Sequence, residues 1–232
     1  MFLFIAFGLY EWAGLSGFNE PHTKLGYVAV CGICMALLVG VPGLWMTILI
    51  ASCVFWVMAS LFVVTYPSGL VCIQKRYLMT ASGALVFSSA WLGLIVLKQQ
   101  SSGEWLVLWA LVLVWFSDVG AYFSGSAFGK RKLAPLVSPG KTWEGAFGGL
   151  AASVLATSVM TWFLGWQPVL SWCLLACGLA VISIFGDLFE SAVKRANEVK
   201  DSGNLLPGHG GVLDRIDSIL VVAPVFALWV LL

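Results

Sequence analysis

Charge is scarce in this sequence. Among 232 residues there are 12 Lys or Arg and 11 Asp or Glu, too few to cover the surface of a soluble domain of this size. The net charge of +1 gives no bulk attraction for nucleic acid, so no nucleic-acid partner is expected. Histidine is almost absent, His22 and His209 being the two copies, which excludes a histidine metal cluster. Neither H-E-x-x-H nor G-x-S-x-G occurs, so zinc hydrolysis and elbow-serine chemistry have no support. No segment is long and polar enough to form a separate soluble domain, and residues 1–232 read as one domain. The N-terminus lacks a basic region and a small-residue cleavage site, so no signal peptide is expected. The pair Cys31 and Cys34 has no second pair or polar ligand nearby, so it reads as small apolar residues inside a helix.

Apolar sequence is abundant. Mean hydropathy is +0.97, with 12 Trp and 15 Phe, and several runs approach the roughly 20 residues that cross a bilayer. The expected fold is an all-α, polytopic membrane helix bundle of about eight segments: 1–15 (short for a span), 25–39, 44–64, 78–97, 105–123, 146–165, 169–189 and 212–232. No internal repeat is evident. Loops 16–24, 65–77, 124–145 and 190–217 fall on one side and carry 11 of the 12 Lys and Arg, whereas Lys98 lies opposite. By the positive-inside rule the four polar loops are cytoplasmic, and a bacterial inner membrane is the expected location. Glu11, Asp118 and Asp187 each fall toward the cytoplasmic end of an apolar run, placed to line one water-filled depression. The simpler reading of Glu11 is an interfacial carboxylate reaching headgroup water. Asp118 and Asp187 read as functional.

Residues 186–217 hold ten of the 23 charged side chains. Asp187, Glu190, Ser191 and Lys194 share one helical face by spacing, and Asp214 and Asp217 share another. Asp187, Asp214 and Asp217 supply hard oxygen suited to Mg²⁺. Lys194, Arg195, Lys200 and Arg215 suit phosphate. The turn Pro207-Gly208-His209-Gly210-Gly211 allows close backbone approach to an anion at a helix start. Glu190 and Glu198 read as solvated loop charges. Upstream, Ser138, Gly140, Lys141 and Thr142 form a Ser/Thr- and Gly-bearing turn at a helix start, also suited to phosphate. It is not a Walker A loop, because Pro135 stands where that motif needs Gly. Lys130, Arg131 and Lys132 read as topology determinants.

The series Ser191-Ala-Val-Lys194-Arg195, Lys200-Asp201, Pro207-Gly-His-Gly-Gly211 and Asp214-Arg215-Ile-Asp217 resembles the signature of phosphatidate cytidylyltransferases (CDP-diacylglycerol synthases). The stretch Asp118–Gly145 and the E-W-x-x-L-S-G-F motif at Glu11 are similar to that family too. Its members usually carry further apolar sequence before the E-W motif, where ten residues stand here, so one or more N-terminal helices are expected to be missing. The resemblance implies cytidylyl transfer from CTP to phosphatidate. It assigns Asp187, Asp214 and Asp217 to metal, with Asp118 as a fourth ligand, and Mg²⁺ with room for a second cation. Lys141, Lys194, Arg195 and Arg215 would hold phosphates, and His209, Gly210 and Gly211 would cradle the nucleotide. The implied partners are CTP, phosphatidate and the bilayer, with homo-oligomerisation left open. The alternatives are another CTP-using membrane lipid enzyme and, from a different class, a cation-coupled transporter working through Asp118 and Asp187.

The charge asymmetry makes a direct prediction. Single cysteines at positions 75, 141 and 200 should react with an impermeant maleimide only from the cytoplasmic side, and one at position 98 only from the opposite side. Labelling of position 141 from outside would contradict the topology.

Overall fold

A computed structural model describes residues 2–67, 75–203, 205 and 210–232. Eight α-helices are present among the described residues: α1 Phe2–Leu15, α2 Pro21–Val39, α3 Trp45–Val64, α4 Arg76–Lys98, α5 Gly103–Phe128, α6 Trp143–Leu164, α7 Val169–Ala196 and α8 Leu213–Leu231. A 3₁₀ turn, Pro42–Leu44, leads into α3. The expected helical bundle is present, and each expected segment has its helix. Six helices are long and apolar enough to span a membrane. At ~1.5 Å per residue α1 reaches only about 21 Å, and α8 opens with Asp214, Arg215 and Asp217. Cys31 and Cys34 are free thiols within α2.

One segment departs from the expectation. Residues Ser138–Thr142, read as a turn opening the sixth span, form strand β2, which pairs antiparallel with β1, Lys132–Ala134. Thr142 then caps α6, its hydroxyl accepting the Gly145 N–H at 3.1 Å. The Glu144 carboxylate accepts the backbone N–H groups of Lys130 and Arg131, at 3.1 and 3.2 Å, and holds the hairpin base. Helix α5 is also longer than expected. It continues to Phe128, past the expected end at 123, and carries Asp118 inside it as expected.

Packing follows residue size. Helix α8 is buried along most of its length, from Ser218 to Pro224 and at Phe226 and Ala227, as an all-round apolar helix must be. Pro224 removes one backbone donor inside α8, close to where Gly93 of α4 meets the Ala223 carbonyl. Trp12 anchors the short α1. Its indole N–H donates to the Met79 carbonyl at 2.8 Å, and its ring lies between Phe87 and Phe189. The outer faces of α2, α3 and α6 leave Val30, Ile33, Leu37, Val57, Leu61 and Leu155 exposed, the surface that lipid would cover.

Helices α5 and α6 approach backbone to backbone. A Cβ at Gly120 would lie 2.7 Å from the Gly148 carbonyl oxygen, and one at Gly149 would lie 2.6 Å from the Ser117 carbonyl oxygen. Small residues permit such close crossings, which substitute for the missing hydrophobic drive in lipid. The contact sets the depth of Asp118 relative to the β hairpin that precedes α6.

The polar connections cluster at one end of the bundle. Arg76 lies over the Phe18 ring at 4.5 Å, Arg195 donates to the Val137 carbonyl at 3.4 Å, and Glu11 meets Ser202. Lys98 pairs with Glu104 at the other end. At the α5–α6 crossing, Gly149→Val should destabilise the protein by about 1–3 kcal/mol through overpacking. Gly178→Ala should be neutral or slightly stabilising, since a Cβ there meets nothing within 4 Å and Ala favours a helix interior. Thermal unfolding of the two variants in one detergent checks the contrast.

Candidate functional site

A cavity of about 510 Å³ opens between α5, α6, α7 and the β hairpin. Ser117, Asp118 and Tyr122 line it from α5, Lys141 and Thr142 from the hairpin, and Asp187 from α7. Ser138 and Gly140 join the same wall. The two sequence stretches singled out for chemistry therefore meet in space. Their contact is direct: Lys141 Nζ lies 2.5 Å from Asp187 Oδ2, and Ser191 Oγ donates to Asp187 Oδ1 at 3.3 Å. Sequence reading did not select Tyr122, Ser183 or Ser218, which also line the cavity. A hydroxyl in an apolar helix carries no charge signature, and only its position one turn from an acidic residue hints at a role.

A second pocket of about 300 Å³ lies beside the end of α7, bounded by Lys194, Arg195, Lys200, Asp201, Asp214 and Arg215. Lys194 stands between two acids, with Nζ 2.6 Å from Glu190 Oε2 and 2.6 Å from Asp214 Oδ1. Asp214 Oδ2 accepts the Gly211 N–H at 2.8 Å and the Ser202 N–H at 3.2 Å. Gly210, with φ +80°, and Gly211 bring the backbone close to Asp214. His209, Pro207 and Gly208 lie outside the described residues.

Two expectations need correction. Glu190 is not a solvated loop charge: it is 3% exposed on α7 and holds Lys194. Glu198, by contrast, is exposed as expected. Glu11 neither reaches headgroup water nor lines the depression with Asp118 and Asp187. It is buried and accepts hydrogen bonds from Ser202, Val212 and Leu213, among the described residues of the connection into α8. Of the three acids grouped for one metal ion, Asp187 lines the cavity and Asp214 bounds the second pocket. Asp214 faces the second pocket, with both oxygens engaged by protein donors. Asp217 lies within electrostatic reach of Asp187, Glu190 and Lys141. The α7 and α8 ends lie side by side, and Glu190 of α7 lies within electrostatic reach of both Asp214 and Asp217.

Three acids bear on the expected divalent cation. Asp118, Asp187 and Asp217 share one nearby ammonium, that of Lys141. Acids gathered this closely among apolar helices are costly to ionise together, and a cation bound beside them would lower that cost. Among the described residues no three acidic, histidine or cysteine side chains close into a ready cage. Mg²⁺ commonly takes one or two carboxylates and completes its shell with water and substrate phosphate.

The fold and this cavity define an integral membrane protein with a polar, acid-rich site set among its helices. Comparison with known proteins narrows the class. The profile described as "Cytidylyltransferase family" matches residues 1–232. A phosphatidate cytidylyltransferase of Pseudomonas aeruginosa is 46% identical over 229 residues, covering 97% of this chain and 84% of that protein. The Haemophilus influenzae phosphatidate cytidylyltransferase is 35% identical, with 95% and 84% covered. The Staphylococcus aureus (strain COL) protein of that name is 35% identical, with 86% and 76% covered. The chain belongs to the cytidylyltransferase family.

The two lysines should separate by assay. Lys194→Met strands Glu190 and Asp214 without their cation, and should cost about 3–5 kcal/mol of stability. Lys141→Gln, at a more open pair, should unfold near the wild-type temperature while turnover falls about 10²-fold. Thermal midpoints and initial rates on the same preparations check this.

Proposed function

We infer that the chain transfers the cytidylyl group of CTP to phosphatidate, releasing pyrophosphate and forming CDP-diacylglycerol. The observation that carries this reading is a cavity bearing Asp118, Lys141 and Asp187 beside an apolar groove. The groove, about 650 Å³, is lined by residues such as Val63, Trp143, Phe147 and Phe185, and shares Leu133, Ala146 and Ile184 with the cavity. An anionic headgroup in the cavity can therefore keep its acyl chain in the groove. The relatives' names supply the reaction, and an amphiphilic acceptor suits the geometry.

The chemistry asks little of a base, because the phosphatidate phosphate is already anionic. Its oxygen attacks the α-phosphorus of CTP. A new P–O bond forms, the bond from that phosphorus to the oxygen bridging toward the β-phosphate breaks, and the electron pair leaves with pyrophosphate. The chain's part is to bring two anions together and hold the departing charge. Lys141 meets phosphate from the hairpin. Arg195, Lys200 and Arg215 hold phosphate in the second pocket, and Gly210 and Gly211 allow the backbone to approach it. Lys194 orients Asp214 and Glu190 rather than standing open to ligand. Asp118, Asp187 and Asp217 would hold Mg²⁺, which when bound would offset phosphate charge, and Asp214 shapes the adjoining wall. The polar end would face the cytoplasm of a bacterial inner membrane, in keeping with the loop charges and with CTP on that side.

Purified protein given phosphatidate, Mg²⁺ and CTP labelled in its α-phosphate should yield a labelled lipid and one pyrophosphate per lipid formed. ATP should substitute poorly. Release of CDP in place of pyrophosphate would mark a kinase and refute cytidylyl transfer.

A further inference from the structure

Glu11 is 4% exposed, yet lies outside the reaction cavity. Its Oε1 accepts the Val212 N–H at 3.1 Å, and its Oε2 accepts the Leu213 N–H at 2.8 Å and the Ser202 hydroxyl at 3.0 Å. The two N–H groups belong to the start of α8, where helix donors lack intrahelical partners and a negative charge is favoured. The contact spans about 200 residues of sequence, from α1 to the α7–α8 connection. Room for it comes from two glycines. A Cβ at Gly203 or Gly211 would run into the Glu11 carboxylate.

Ser202 and Gly211 are also gripped from the other side, where their N–H groups donate to Asp214 Oδ2. Asp214 in turn is held by Lys194. The connection therefore leaves and re-enters the bundle between two carboxylates. Lys200 and Asp201 lie just before this clasp and Arg215 just after it, and all three bound the second pocket.

We propose that Glu11 is a positioning residue, which from α1 fixes the α7–α8 connection so that the second pocket keeps the shape that binds nucleotide phosphate. The proposal rests on the cytidylyl-transfer reading. It differs from a role in seating α1, because Ile5, Leu9 and Trp12 are themselves buried and Trp12 bonds the Met79 carbonyl. Removing the carboxylate leaves those contacts in place.

The test uses the full chain in lipid nanodiscs, as wild type, Glu11→Gln and Glu11→Asp. Gln offers one acceptor oxygen and turns an N–H₂ toward backbone donors. Amide hydrogen exchange over residues 210–215 should speed up about tenfold in Glu11→Gln, as expected when bonds to a charged acceptor are lost. The KM for CTP should rise by about the same factor, with the KM for phosphatidate changed less than about twofold. Glu11→Asp keeps the charge and should fall between. Exchange in α4 should not move. Wild-type exchange at 210–215 or a wild-type KM for CTP in Glu11→Gln would overturn the proposal. So would loss of protection throughout α4 and α8, which would make Glu11 merely structural. Wild-type protein that makes no labelled lipid from CTP would instead overturn the cytidylyl-transfer reading and with it the positioning role, while the exchange data would still show whether the clasp exists.

Discussion

The ion pair of Lys141 with Asp187 joins the β hairpin to α7, and the geometry of the cavity depends on it. A carboxylate among apolar helices must find a cation, hydrogen-bond donors or water. Asp187 finds Lys141 and Ser191. Glu190 and Asp214 find Lys194. Glu11 finds the start of α8. Each solution pulls two distant parts of the chain together, so charge neutralisation draws the polar end of the bundle into one assembly. Asp118 and Asp217 lie near Asp187 and the same Lys141, and a metal–phosphate ligand bound there would ease the cost of ionising them together.

The bundle below this polar end is held differently. Helices α5 and α6 meet through glycine, alanine and serine, and their backbones nearly touch. Helices α4 and α8 form the buried centre, with an aromatic cluster around Phe189 joining α1, α3 and α7. This rigid frame matters for the site because Asp118, Lys141 and Asp187 come from three separate elements. A shift of one helix would separate them.

Much of this was legible in the sequence. Hydropathy located all eight helices, because a span must be apolar over a fixed length. The split of Lys and Arg grouped the loops that the structure gathers at one end. Asp118, Asp187 and the Ser138–Thr142 stretch could be selected because charge and glycine are conspicuous in oil. What could not be read was pairing. Spacing places Asp214 and Asp217 on one face, but the partner of each is set by Lys194 and by α7, which only the packed helices bring near. Glu190 and Glu198 look alike in sequence, and one is buried while the other is exposed. The strand at 138–142 was hidden because Ser-Pro-Gly-Lys-Thr has turn chemistry, and its conformation comes from pairing with Lys132–Ala134. Glu11 was hidden for the same reason: its donors lie about 200 residues away.

The central claim is that the Asp118–Lys141–Asp187 cavity binds a divalent cation together with nucleotide phosphate. Electron paramagnetic resonance of Mn²⁺, titrated into purified protein with and without CTP, tests it most directly. Wild-type protein should bind Mn²⁺ tightly only when CTP is present, and Asp187→Asn should lose that CTP-dependent signal while unfolding near the wild-type temperature. The same CTP-dependent Mn²⁺ binding in Asp187→Asn as in wild type would contradict the account.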